Sequence, residues 1–178
     1  YPKAGENTVS VIAFSSKKSE IDGLLAFFKD AGLEVRVIEA VPTALFAAFD
    51  LNNVWEDGVN YSMVDIGAAK TTLVILKNKR LMFAREISFG GRELTTSVAD
   101  GLNKEESAAE EYKITYGLNP PEGQGNDARR LITAPLTELC RELHRSFDYY
   151  QAQFREGAVV KIFLCGGTAR LKGIEGFI

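Results

Sequence analysis

Three short segments carry residue types at spacings that suit the binding of a phosphorylated ligand. The first runs from Asp65 through Ile66, Gly67, Ala68, Ala69 and Lys70 to Thr71 and Thr72. An acid ending one strand, small residues in a turn and hydroxyls opening the next strand would let backbone N–H groups approach anionic oxygens. Thr71 and Thr72 would add donors, and Asp65 would hold magnesium through its water shell. A plain tight hairpin favours the same small residues, and taken alone this motif reads more often as that. The second segment, Leu164 to Gly173, breaks an apolar strand at Gly166 and Gly167 and continues through Thr168 and Arg170. Paired glycines there allow a flat or anionic ligand to approach the backbone, or simply turn a strand into a helix. The Gly-Lys-Ser or Gly-Lys-Thr ending of a Walker loop is absent. In the third segment Glu110 and Lys113 are three apart on one helical face. On spacing alone a surface ion pair worth little is the favoured reading, and a bracket around a ribose is the alternative.

Other reactive types carry less. His144 sits among Arg141, Glu142 and Arg145 with no nucleophile or carboxylate in register, and reads as a surface or boundary residue. Cys140 and Cys165 match no metal-ligand spacing and no disulfide framework, which points to a reducing compartment, and Cys165 packs in a strand rather than reacts. Trp55 is read as cover for an interface. The arginines at 129, 130, 141, 145 and 155 read as a solvated face. The 178 residues are 46% hydrophobic and 25% charged with a net charge of −3, enough apolar mass for a substantial core and no basic excess for nucleic acid. No apolar run approaches the ~20 residues that cross a bilayer, and residues 1–5 lack a signal-peptide core.

These residues need a scaffold. Val9 to Phe14 reads as a covered strand, Ile21, Leu24, Leu25 and Phe28 as one helical face ended by Gly32, and Glu34 to Ile38 as a second strand, together a parallel crossover unit. Pro42 opens a helix with Leu45, Ala48 and Phe49 inward. After a polar connection from Asp50 to Asn60, the runs 61–66, 71–76 and 81–87 form an antiparallel meander turning at Lys77 to Arg80. Gly90 and Gly91 precede a helix through Leu94, Val98 and Leu102. Asn103, with Glu106 three residues on, reads as a capping-box start of the next helix through Tyr116. A Pro- and Gly-rich loop spans 117–126. A long helix follows with Ile132, Leu136, Leu139, Leu143, Phe147, Tyr150 and Phe154 in one stripe, Pro135 kinking it or marking its start. Val159 to Cys165 is expected to be a covered strand, with a helix after the glycines.

The order of these features resembles the second lobe of the actin and FtsA-like superfamily, and most closely the PilM family of type IV pilus assembly proteins. Residues 64–76, 85–91 (Arg-Glu-Ile-Ser-Phe-Gly-Gly), 142–150 and 163–174 carry that likeness, which covers most of the chain from Asn7 onward. It implies an α/β, actin-like or ribonuclease-H-like ATPase fold. Residues 1–53 would end the first lobe, and 54–178 would form the second, with a subdomain inserted at about 84–130. By the same resemblance, Asp65, Gly67, Ala68, Thr71 and Thr72 belong to the second phosphate loop. Glu110 and Lys113 contact ribose, and Gly166, Gly167, Thr168 and Arg170 lie in the adenosine loop. Ala69 stands where the superfamily usually has glycine. The first phosphate loop has no match before Asp65, so the chain is expected to be cut at both ends and weak or inactive as an ATPase.

The resemblance further implies that the intact protein binds ATP and magnesium at the cytoplasmic face of a bacterial inner membrane, reaching the membrane only through partners. Those partners would be the N-terminal tail of a PilN-like membrane protein and other assembly-platform proteins, with self-association conceivable. No partner-binding residues are assigned. Two alternatives remain: a scaffold of a type II secretion system without nucleotide, and an FtsA-like or other active ATPase or phosphotransferase, which would need an acid placed to orient a nucleophile.

Overall fold

The computed structural model describes residues 11–52, 55–121, 123 and 125–178. The meander forms as expected. β1 (Asn60–Ile66), β2 (Thr71–Lys77) and β3 (Arg80–Ile87) pair antiparallel, and β4 (Val159–Cys165) adds parallel to β1, giving the order β3-β2-β1-β4. β2 is inaccessible from Thr71 to Leu76 because the sheet is covered on both faces, and β-branched and leucine side chains alternate between the two layers. Asn78 and Lys79 turn the β2–β3 hairpin with φ of 47° and 57°, a two-residue primed turn whose twist matches the strands. The Asn78 side chain also accepts the Gly58 N–H at 2.9 Å.

One layer is α2 (Val41–Asn52). Its inward residues are Leu45, Phe46 and Phe49, whereas Ala48, expected inside, is exposed. The larger area of the Phe46 ring decides which way the helix rolls. Phe49 packs at 4.9, 5.1 and 5.3 Å from the rings of Trp55, Tyr61 and Phe163. The Trp55 indole N–H donates to Asp50 at 2.6 Å, so Trp55 covers the junction of helix and sheet.

The opposite layer holds α3 (Gly91–Leu102), α4 (Glu106–Tyr116) and α5 (Gly125–Phe154). Ile132, Leu136, Leu139, Leu143 and Tyr150 of the α5 stripe are buried, while Phe154 emerges at 42% exposure. α5 starts at Gly125 and continues through Pro135, which therefore does not mark its beginning. From β3, Arg85 donates to Ser146 and Glu142 at 2.8 and 2.7 Å and clamps helix to sheet.

Several expectations are corrected. Val9 and Ser10 lie outside the described residues, and neither Val11–Phe14 nor Glu34–Ile38 is a strand; Val11 and Val37 are 79% and 78% exposed. A strand exists by virtue of its ladder, and among the described residues none lies beside these segments. The helix between them, α1 (Lys18–Asp30), forms, and Gly32 ends it at φ 74°, but it buries no residue. Asn103 does not start α4. It closes α3 in the left-handed conformation (φ 49°), its N–H on Ala99, and Glu105 precedes α4. Asparagine's tolerance of that region wins over its capping use. Among the described residues β4 is an edge strand, with Val160 65% and Ile162 40% exposed, not a strand covered on both faces. After Gly167 come two short 3-10 turns, Thr168–Arg170 and Ile174–Gly176, in place of a helix.

Because Trp55 is the only tryptophan of the chain, its emission reports the α2–sheet junction. Phe49→Ala should cost about 3–5 kcal/mol in denaturant unfolding and red-shift native Trp55 emission. An unshifted native spectrum would contradict this packing.

Candidate functional site

The turn between β1 and β2 is held by the start of α3. Gly67 donates its N–H to the Lys70 carbonyl at 3.0 Å, and the Gly67 and Ala68 carbonyls accept the N–H groups of Gly91 and Arg92, each at 2.9 Å. The first free donors of α3 are thus spent on the turn. Such an approach leaves no room for side chains. A Cβ on Gly90 would lie 2.5 Å from the Ala68 carbonyl, and one on Gly91 would lie 2.6 Å from the Thr168 hydroxyl. Gly90 is extended (φ −157°), so glycine is required there for space and not for backbone freedom. Glu93 reaches back to accept the Gly90 N–H at 2.9 Å and finishes the cap.

The parallel pairing of β1 with β4 sets Asp65 opposite Cys165 and brings the first two motifs together. Gly166 follows in the left-handed region (φ 85°), and a Cβ there would meet Asp65 Oδ1 at 2.4 Å. Thr168, in the next turn, donates its hydroxyl to Gly67 O at 3.2 Å. Burial, helped by the Asp65 charge, pushes the Cys165 thiol up to about 11, so it stays protonated and unreactive.

Glu110 and Lys113 are not a surface pair. Lys113 is only 7% exposed and donates to Glu110 Oε2 at 2.6 Å, Thr95 Oγ1 at 2.9 Å and Gly91 O at 3.1 Å, which satisfies all its protons. Desolvation pushes the Glu110 carboxyl up, but hydrogen bonds from Lys113 and Thr95 and the Lys113 charge together outweigh it. The carboxyl titrates below the ordinary glutamate value. The other end of α4 is tied to the second motif: Leu118 donates to Lys172 O at 3.0 Å, and Lys172 to Thr115 O at 2.6 Å.

Between these elements lies a cleft of about 1070 Å³. Ala68, Glu110, Lys113, Gly167, Thr168 and Arg170 line it, drawn from all three sequence motifs. Asp65, Gly67, Thr71, Thr72 and Gly166 do not line it. Thr71 is fully buried and donates its hydroxyl to Phe89 O at 2.8 Å. Sequence reasoning missed Thr95 and Arg92, which also line the cleft. The signal was their place one turn or less beyond the Gly90-Gly91 pair. Among the described residues no three His, Cys, Asp or Glu side chains group to ligate a metal directly. The lining carries both signs of charge, Arg92, Lys113 and Arg170 against Glu105, Glu106 and Glu110; Glu110 can accept from hydroxyls, and Gly167 opens onto free space.

The chain matches the family model of type IV pilus assembly protein PilM over residues 2–178. A solved PilM-PilN type IV pilus biogenesis complex superposes with a TM-score of 0.70 at 28% identity, over 88% of this chain and 43% of that one. MreB5 of Spiroplasma citri bound to ADP superposes at 0.65 with 18% identity, over 91% of this chain and 57% of that one. Cell division protein FtsA of Enterococcus hirae is 24% identical over 92% of this chain and 40% of its own length. The fold is therefore actin-like, and the chain spans less than half the length of the PilM and FtsA relatives.

Gly90→Ala should lower stability by about 1–3 kcal/mol, read as a fall in melting temperature, because backbone and not a flexible side chain blocks the new methyl. An unchanged melting temperature would mean the turn and α3 are not in contact. Glu110 has a lowered folded pKa, so its stabilisation is complete above the ordinary glutamate range and is lost as pH falls through the lower folded value. The stability gap between wild type and Glu110→Gln should accordingly shrink from about pH 7 to about pH 3; a constant gap would contradict the pairing.

Proposed function

Because the chain belongs to the type IV pilus assembly protein PilM family, we propose that it serves pilus assembly as an actin-like component whose cleft holds ATP with magnesium. The observation that supports this is the convergence of Ala68, Glu110, Lys113, Gly167, Thr168 and Arg170 on one cleft from segments far apart in the chain. The Ala68 turn and Arg92 face the phosphates, Glu110 takes the ribose while Lys113 holds that carboxylate in place, and Gly167 to Arg170 bound the base. Asp65 supports magnesium through water from behind the turn. Magnesium, when bound, neutralises phosphate charge.

Residues 1–53 end a first lobe and residues 54–178 form a second, with an inserted subdomain at about 84–130. Nucleotide acts by differential affinity for open and closed arrangements of the lobes and so adjusts a surface for the N-terminal tail of a PilN-like partner. The partner places the protein at the cytoplasmic face of the inner membrane. Binding rather than turnover is the role assigned to the site. A nucleotide-free scaffold is the second reading, favoured by Thr71, whose hydroxyl is already committed to Phe89.

Gly167 provides a selective test. Its backbone is right-handed (φ −61°, ψ −41°) and no atom beyond its two chain neighbours lies within 4 Å of where a Cβ would sit, so a side chain is tolerated by the fold but projects into the opening. Titration calorimetry with Mg·ATP should show saturable binding that Gly167→Leu weakens by at least about tenfold at unchanged melting temperature. Equal affinity in the variant would sink the site, and no binding to wild type would favour the scaffold.

A further inference from the structure

We propose that Thr95 is a positioning residue that presents one oxygen of Glu110 to a ribose, making the cleft select ribonucleotides over 2′-deoxynucleotides. This rests on the nucleotide reading above.

Thr95 lies on α3, 3% exposed, where that helix faces α4. Its hydroxyl oxygen accepts from the Lys113 ammonium at 2.9 Å. A hydroxyl has a single proton, and two acceptors are within reach: Gly91 O at 3.0 Å and Glu110 Oε2, which is closer. The charged acceptor makes the stronger bond, so the proton goes to Glu110. Lys113 donates to that same Oε2.

Both donors therefore hold one oxygen of the carboxylate, and among the described residues no donor reaches the other. The Glu110 side chain is 44% exposed on the cleft wall, which leaves Oε1 facing the opening as an acceptor. Held by Lys113 alone, the carboxylate would be free to turn about its terminal torsion, which has broad wells. With Thr95 as well, two donors converging from different helices define its plane. A carboxylate oriented in this way discriminates a ligand hydroxyl from its absence, because a bound ligand that covers Oε1 without donating to it leaves a charged acceptor unpaired.

The hydroxyl and the methyl of Thr95 can be separated. Thr95→Val keeps the shape and removes the hydroxyl, whereas Thr95→Ser keeps the hydroxyl and removes the methyl. If the role were packing alone, serine would be the damaging change. Calorimetry with Mg·ATP and Mg·2′-deoxy-ATP should give wild type a preference for ATP of about tenfold or more. Thr95→Val should reduce that preference to about threefold or less, and Thr95→Ser should retain it. A carbon-detected NMR titration of Glu110, independent of any nucleotide, should show its carboxyl titrating higher in Thr95→Val than in wild type or Thr95→Ser.

An undiminished preference in a folded Thr95→Val protein, or an unmoved Glu110 titration, overturns the proposal. Equal wild-type affinity for both nucleotides overturns the specificity while leaving the nucleotide reading intact. A wild type that binds neither overturns both.

Discussion

The site depends on a backbone-to-backbone contact, the seating of the α3 N-terminus against the β1–β2 turn. Hydrogen bonds from Gly91 and Arg92 to the Gly67 and Ala68 carbonyls draw two main chains together closely enough that a methyl group at position 90 would collide with the turn. The turn's carbonyls are thereby directed into the protein. Within the described residues the amides of Ala68 and Ala69 donate to no backbone carbonyl, so the turn keeps two donors. A turn that is merely tight does not acquire this polarity; the docked helix imposes it.

From that contact the remaining parts of the site follow in sequence. Gly91, which donates to the turn, also presents its carbonyl to Lys113, and Lys113 holds Glu110. Thr168 reaches the same Gly67 carbonyl from beyond β4. Turn, α3, α4 and the segment after β4 are therefore one hydrogen-bonded frame. The apolar layer beneath, in which Leu94 and Val98 meet Ile132, Leu136 and Leu139, keeps this frame in place without entering the cleft. A buried ammonium is tolerable here because every proton has an acceptor. The same completeness prevents Lys113 from wandering as an exposed lysine would.

Much of the fold was legible because it depends on local period and turn chemistry. The β-branched and leucine run from Thr71 to Leu76, the charged two-residue hairpin after it and the stripe from Ile132 to Tyr150 are patterns any chain of that sequence would express. The failures share one cause. Val11 to Phe14 and Glu34 to Ile38 have strand composition without a neighbouring ladder, β4 is apolar yet lies at an edge, and Asn103 had two local uses between which only the geometry of the α3 end could choose. Local pattern states what a segment is able to become, and neighbours decide what it does.

The same division runs through the site. The sequence by itself determined the residue types: small residues around Ala68, paired glycines at 90–91 and 166–167, and a glutamate and lysine one turn apart. It could not place Glu110 and Lys113, for which spacing alone favoured a weak surface pair, because burial is a property of what packs over a helix and not of the helix. Tertiary structure decided that Lys113 is enclosed, that Thr71 turns inward to Phe89, and that Thr95 joins the pair. It also set Gly67 against Thr168 across 101 residues of chain. The physical reason is that hydrogen bonds between helices and the desolvation that strengthens them exist only once distant segments share a core.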